Sequence, residues 1–221
     1  MNRALVMRLI VKDWYLSRVP LTMVALAGAV ATVLLYSGQT AGLVGIISAL
    51  ISLVFLSILI PQLTVVNERK LGNLAFVMSL PISPAEYTMS KVLGNLSAFV
   101  PLWAAIAGAV LGTMAFVPGA GGVIPLGVIA ALAPFVSFCL LLSVAIVTES
   151  EMLSMVMMGI TNVAYSFWWF LFRLPGFGEN LKSPVPVWTN AILTIIGGQI
   201  AVIVLSLALT FYLQSRKTDF V

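Results

Sequence analysis

The sequence contains no histidine, a single cysteine and very few charged residues. Without histidine, the chain lacks the side chain that most often carries protons near neutral pH and most often binds metal ions. Its one cysteine, Cys139, cannot form a disulfide within the chain. No carboxylate pair, Cys/His cluster or Ser–His arrangement indicates catalysis, so we expect neither an enzymatic site nor a metal site.

The chain also lacks the phosphate-binding loop of common ATPases. No G-x-x-x-x-G-K-S/T pattern occurs, and no glycine directly precedes a lysine. We therefore expect this chain to bind no cofactor, and any ATP hydrolysis must take place in another protein. The net charge of +4 would suggest nucleic acid in a soluble protein. In this apolar chain we interpret it as an orientation signal and expect no nucleic-acid partner.

What the sequence does contain is long apolar runs. Hydrophobic residues make up 61% of the 221 residues, and only 8% are charged, against about 25% in soluble domains. A helix needs about 20 apolar residues to cross about 30 Å of hydrocarbon. We predict an all-α integral membrane protein, with residues 1–221 as a single transmembrane domain. Its six transmembrane helices are predicted at residues 19–36, 42–66, 92–117, 123–147, 152–174 and 189–213.

The lysines and arginines are distributed unevenly between the connections. Two of the 11, Arg173 and Lys182, fall on one side of the predicted membrane. The others fall on the opposite side: Arg3, Arg8, Lys12, Arg18, Arg69, Lys70, Lys91, Arg216 and Lys217. Because positive charge concentrates on the cytoplasmic side, both termini are predicted to be cytoplasmic. The segments outside the spans are an N-terminal helix (1–18), a cytoplasmic elbow (67–91), an external loop (175–188) and a cytoplasmic tail (214–221).

The N-terminal helix carries Arg8, Lys12 and Tyr15 on one stripe. We interpret this helix as a topology anchor whose basic side chains extend towards anionic membrane lipid.

The elbow contains a strong local signal for a break between two helices. The second span ends at Glu68-Arg69-Lys70, and a short apolar helix over residues 74–80 is predicted to stop at Pro81. The next helix is predicted to start at Ser83-Pro84-Ala85-Glu86, a capping box with proline at the first helical position. A short cytoplasmic helix should therefore lie between the second and third spans.

This stretch carries a family resemblance. The run from Glu68 to Lys91, ERKLGNLAFVMSLPISPAEYTMSK, resembles the signature of ATP-binding-cassette permeases of the type-2 exporter family. The N-terminal R-x-x-x-K-D-W pattern and the C-terminal SRKTDF are also similar to small bacterial members. The resemblance implies a half-size permease in the bacterial inner membrane. It further implies pairing with a second permease chain, identical or paralogous, and docking of an ATPase subunit that carries ATP and magnesium.

The resemblance also assigns roles within the elbow, which would be the coupling helix that docks on the ATPase. The apolar contact would be made by Leu74, Phe76, Val77, Met78, Leu80 and the terminating Pro81. Glu68, Arg69 and Lys70 would anchor its base by charge. For Ser83, Pro84 and Glu86 we expect a capping role rather than direct contact.

A second predicted cytoplasmic connection reads Thr148-Glu149-Ser150-Glu151. Thr148 and Glu151 have capping-box spacing, which predicts a helix start there. The resemblance implies a second, smaller ATPase contact at this connection, and the two roles are compatible.

The transport path is less clearly marked in the sequence. No ionisable residue lies in the interior of a predicted span, and we expect the polar Gln62, Asn95, Asn162 and Gln199 to form hydrogen bonds between helices. The resemblance implies that the second and fifth spans border the path. A path so poor in charge fits an amphipathic peptide, a lipid-like molecule or a hydrophobic drug. Candidate lining residues are Gln62, Met155, Asn162, Tyr165, Trp168 and Trp169, although aromatic residues near the outer interface are also typical of the membrane belt.

Small residues recur at four-residue spacing in two spans. We expect close packing between helices of the chain at Ala25 and Ala29 and at Ala104, Gly108 and Gly112, with a dimer contact as the alternative.

Two other functions stay open at this point. The chain could be a non-transporting scaffold, immunity or signalling subunit that binds an ATPase or another protein through the same elbow. An ion-coupled secondary transporter or a channel would need an intramembrane carboxylate or a discontinuous helix, and the sequence indicates neither.

Overall fold

The computed structural model describes residues 3–70, 83–117, 121–148, 150–166 and 183–216. This part of the chain is almost entirely helical and contains no strand. We number the α-helices α1 to α7: Arg3–Leu35, Gln39–Pro61, Asn67–Lys70, Pro84–Phe116, Ile124–Thr148, Glu151–Ser166 and Asn190–Ser215. A π-helix, Gln62–Val66, joins α2 to α3, and a 3₁₀ turn, Gly121–Val123, precedes α5.

Five helical stretches are long and apolar enough to cross a membrane, which indicates a multi-pass membrane protein. They are Arg3–Leu35, Thr40–Val66, Ala85–Phe116, Gly121–Thr148 and Asn190–Ser215. The predicted all-helical fold is thereby confirmed for the described residues, and its long apolar helices are those expected of a membrane protein. The remaining predicted span, 152–174, overlaps the 16-residue helix α6 and then extends beyond the described residues. The sixth span therefore stays a prediction.

Helix α1 differs from the predicted arrangement of an N-terminal helix followed by a separate span. It runs without interruption through residue 18 and contains Pro20 in its interior. Its buried residues form one stripe at three- and four-residue spacing, along the side that packs on α2 and α4. This stripe comprises Val6, Leu9, Asp13, Ser17, Leu21, Val24, Gly28 and Ala31. The first turns of the chain are therefore part of the packed bundle.

Helix α5 lies at the centre of the bundle and packs on α2, α4, α6 and α7. Its Phe138 stacks on Phe99 of α4 with ring centroids 4.1 Å apart. Trp103 packs against Phe135 and donates a hydrogen bond from Nε1 to the carbonyl oxygen of Ala131, 2.7 Å away. Ring packing and this bond between helices fix α4 against α5.

Close helix contacts occur at glycines other than those expected. A Cβ on Gly28 would lie 2.6 Å from Ile106 Cδ1, and a Cβ on Gly45 would lie 2.8 Å from the carbonyl oxygen of Ala31. By contrast, a Cβ on Gly108 or Gly112 would meet nothing within 4 Å. The expectation that Gly108 and Gly112 pack against other helices of the chain is therefore wrong for the described residues. A dimer contact there stays a prediction.

These glycines give a matched pair of substitutions. We expect Gly45→Ala to lower the free energy of unfolding by about 1–3 kcal/mol, because its methyl group meets the backbone of α1, which cannot move cheaply. Gly108→Ala should be neutral or stabilising by up to about 1 kcal/mol, because alanine favours helix and the site is open. Thermal unfolding of both variants in detergent measures the difference. Equal stability of the two variants would contradict the close contact at Gly45.

Candidate functional site

The C-terminal part of the predicted elbow forms the predicted capping box. The Ser83 hydroxyl accepts a hydrogen bond from the Glu86 backbone N–H at 3.3 Å, and the Glu86 carboxylate accepts one from the Ser83 N–H at 2.9 Å. Pro84 occupies the start of α4. The capping box is therefore confirmed, and a helix begins at residue 84. The residues assigned to the coupling contact lie outside the described residues and stay predictions: Leu74, Phe76, Val77, Met78, Leu80 and Pro81.

The near end of the elbow contains an unexpected group of buried charges. Glu68 is buried and forms ion pairs with Lys12 and Lys91. Lys91 is fully buried, and its ammonium group donates to the two carboxylate oxygens of Asp13 at 3.1 and 2.9 Å. We call Lys12, Asp13, Glu68 and Lys91 the buried charge cluster. In this position Glu68 serves the interior of the bundle and is not available to a docked protein, while the role of Arg69 stays a prediction.

The buried charge cluster is balanced, with two carboxylates and two ammonium groups. Lys91 also donates to the carbonyl oxygen of Thr64 at 2.8 Å, and its ammonium group forms the ion pair with Glu68. Burial raises the pKa of the Glu68 carboxyl, but the ammonium groups of Lys91 and Lys12 outweigh burial and hold this pKa below its ordinary value. Glu68 is therefore ionised at neutral pH, as the ion pairs require.

The cluster adjoins the π-helix at the end of the second span. Pro61 lacks an N–H, and the wider turn that follows presents the Thr64 carbonyl to Lys91. Thr64 also donates through its hydroxyl to Asn95 Oδ1 at 2.6 Å, and Asn95 donates to the carbonyl of Lys91 at 2.7 Å. The predicted hydrogen bond between helices is therefore confirmed for Asn95. π-Helices frequently mark functional sites, and this one links α2 to α1 and α4 through polar groups.

Sequence reasoning missed this cluster because it placed Asp13 and Lys91 in segments outside the spans. The structure instead places both side chains in the packed interior, with Asp13 in a helix that is long enough to cross a membrane. The available signal was the helical stripe of α1, on which Asp13 continues the spacing of Val6 and Leu9.

The second predicted connection starts its helix at a different residue from the one expected. Thr148 is the last residue of α5, and its hydroxyl donates to the carbonyl of Val144 at 2.8 Å. Ser150 precedes α6 and accepts a hydrogen bond from the Leu153 N–H at 3.3 Å. The predicted Thr148–Glu151 capping box is wrong, because α5 keeps Thr148 helical and leaves Ser150 as the cap. Glu149 lies outside the described residues.

Glu151 connects this second element to the first. Its carboxylate forms an ion pair with Lys70 of α3, with Nζ and Oε1 3.0 Å apart. Lys70 is 62% exposed and Glu151 is 39% exposed, so the pair lies at the surface. The structure thus brings together the base of the elbow and the start of α6. We call the end of the bundle that carries Lys12, Lys70 and Lys91 the basic end.

A cavity of about 430 Å³ lies between α2, α5 and α6. Its walls are mostly apolar, and Asn162 and Tyr165 of α6 contribute its polar groups. A second cavity of about 330 Å³ lies between α5, α6 and α7 and shares Ala133 and Tyr165 with the first. The Tyr165 hydroxyl donates to Ser137 Oγ at 2.8 Å, which fixes the ring between the two cavities.

The other candidate path residues lie in different surroundings. Gln62 lines a small void next to the first cavity, and Met155 is exposed on α6. Asn162 donates to the carbonyl of Met158 in its own helix, and among the described residues it does not form the predicted bond between helices. That prediction is confirmed for Gln199, which donates to the Ile129 carbonyl at 3.1 Å. Trp168 and Trp169 lie outside the described residues.

Comparisons of the chain with family models, with curated proteins and with solved structures gave no match.

Proposed function

We propose that this chain is the membrane-spanning permease subunit of an ATP-driven exporter, paired with a second permease chain in the inner membrane. A separate ATPase would dock on residues 69–81 and on the start of α6, and would supply the energy. The substrate would be amphipathic or hydrophobic, because the walls of both cavities are mostly apolar and carry a few polar groups. The observation that carries the proposal is the ion pair between Lys70 and Glu151, because it brings the base of the predicted elbow next to the start of the second predicted contact.

The buried charge cluster supports the proposal in a second way. Glu68 and Lys91 lie on the two sides of the segment predicted to dock, and both are fastened to α1 through Lys12 and Asp13. A displacement of that segment would therefore act on α1, the π-helix and α4 together. A coupling element needs such a mechanical connection, whereas a simple turn between two spans does not.

The buried carboxylates give little support to the alternative of an ion-coupled transporter. A cation site needs carboxylate oxygens that are free to bind the ion. Both Asp13 and Glu68 are instead engaged by lysine ammonium groups. The cluster is therefore neutral as it stands.

Affinity capture tests the proposed function. Tagged protein is extracted from native membranes in mild detergent, and the proteins that copurify are identified by mass spectrometry. We expect an ATPase with a phosphate-binding loop in stoichiometric amount, whose ATP turnover after reconstitution responds to hydrophobic peptides, lipids or drugs. An ATPase that binds without such a response would favour the scaffold, immunity or signalling alternative. Well-folded protein recovered without any ATPase would contradict the proposal.

A further inference from the structure

Three layers of structure lie one above another between α2 and α6. The cavity of about 430 Å³ is lined by Val54 and Ile58 of α2 and by Asn162 of α6. Closer to the basic end, Ile58 and Gln62 face Ser154 and Met158 across a much smaller void. Beyond that void, Lys70 pairs with Glu151. From the cavity towards the basic end, the lining residues rise in number along α2 and α3 and fall in number along α6. The three layers therefore form one continuous line.

The middle layer is narrow in this structure. Its void measures about 10 Å³, whereas a water molecule needs at least about 10–15 Å³. A molecule larger than water could therefore pass between α2 and α6 at this level only if the two helices moved apart. Ser154 and Gln62 supply polar groups on both walls of this constriction, which suits a passage that becomes hydrated when it widens.

The outer layer is suited to opening at low cost. Exposed ion pairs contribute little to stability, and Lys70 and Glu151 are both substantially exposed. Helix α6 packs chiefly on α5, and only residues 149 and 150 connect these two helices. The ion pair thus connects the start of α6 to α3, which directly follows the second span.

We propose that Lys70 and Glu151 form an electrostatic latch, which closes a passage from the basic end to the cavity between α2, α5 and α6. When the pair separates, the start of α6 moves away from α2, and the constriction at Gln62 and Ser154 widens. The interpretation of this passage as a substrate path rests on the proposed function, whereas the latch itself is a property of this chain alone.

The test measures water access to the cavity through the reactivity of an introduced thiol. Ala133 lines both cavities and is close to cysteine in size, so Ala133→Cys is the reporter, in a Cys139→Ala background that removes the native thiol. Membrane vesicles of both orientations are treated with a membrane-impermeant cationic thiosulfonate, and the labelling rate of the full-length protein is measured. The variants are Lys70→Glu, which opposes two negative charges, and Lys70→Glu with Glu151→Lys, which restores the pair in reverse.

We expect Lys70→Glu to speed labelling roughly tenfold from the side of the basic end, a ratio that corresponds to about 1.4 kcal/mol. Reversing both charges should return the rate to within about twofold of the parent, because only the pairing is restored. An unchanged rate in Lys70→Glu would overturn the proposal, as would a reversed pair that labels as fast as the single variant. Equal acceleration from both sides of the membrane would overturn it too, since general loosening would explain that result.

This measurement is independent of any ATPase. If affinity capture finds no ATPase while the labelling rates follow the charge pairing, the proposed function fails and the latch stands. If an ATPase is captured while labelling ignores the pairing, the latch fails and the proposed function stands.

Discussion

Replacing Lys91 by methionine should lower the free energy of unfolding by about 3–5 kcal/mol, the largest stability effect we expect in this protein. Lys91 is fully buried and pairs with both Asp13 and Glu68. Methionine has nearly the same shape but leaves two carboxylates in the interior with Lys12 as their remaining partner in the cluster. Thermal unfolding in detergent, together with the fraction of monodisperse protein on gel filtration, measures the loss.

Two further variants separate charge balance from size. Lys70→Met makes the same change at an exposed ion pair, where we expect a loss below about 1 kcal/mol. Lys91→Met with Asp13→Leu removes one carboxylate and one ammonium group together and leaves Glu68 paired with Lys12. Most of the stability should return, since apolar replacement of a whole buried pair is often tolerated. If Lys91→Met lowers the free energy of unfolding as little as Lys70→Met does, the buried charge cluster does not stabilise the bundle as we propose.

Replacing Phe76 and Met78 by aspartate should abolish copurification of the ATPase while the chain still inserts and folds. The proposed function makes these residues part of an apolar contact, and an aspartate there would be buried without a partner. The readout is the amount of ATPase captured per tagged chain, compared at equal recovery of folded protein.

A matched control carries the same kind of change at the opposite end of the chain's helices. Phe116 and Val185 are both highly exposed, so Phe116→Asp with Val185→Asp replaces two apolar side chains by charge without removing buried contacts. This control should capture the ATPase normally. Loss of capture in both double variants would indicate general damage, and normal capture in both would exclude the elbow as the docking element.

The features that the sequence predicts well depend on near neighbours. The apolar spans follow from composition alone, and five of them are recovered as long helices. The capping box at Ser83 and Glu86 is also recovered, because both partners lie within one turn and proline at residue 84 admits few alternatives. At Thr148 the local pattern was ambiguous, since Thr148 and Ser150 are both good caps. The length of α5 decided between them.

The buried charge cluster depends on contacts that no local pattern contains. Asp13 and Lys91 are separated by 78 residues along the chain, and each alone looks like a charge at a membrane boundary. The same holds for Lys70 and Glu151, which are separated by 81 residues. Periodicity indicates which face of a helix is buried, but it does not say which partner that face meets. The sequence therefore predicts the two segments of the site but does not predict that they pair with each other.

The pairing of Asp13 with Lys91 means that α1 is synthesised well before the helix that carries its partner. Asp13 leaves the ribosome 78 residues before its partner, a delay of roughly 4–16 s at a synthesis rate of about 5–20 residues per second. During that interval the first helix carries a carboxylate that must stay near water or find a temporary partner, and Lys12 beside it is the nearest ammonium group. The final docking of α1 therefore has to wait for α4. Slowing translation between the second and third spans would lengthen the period in which the nascent protein depends on the insertion machinery.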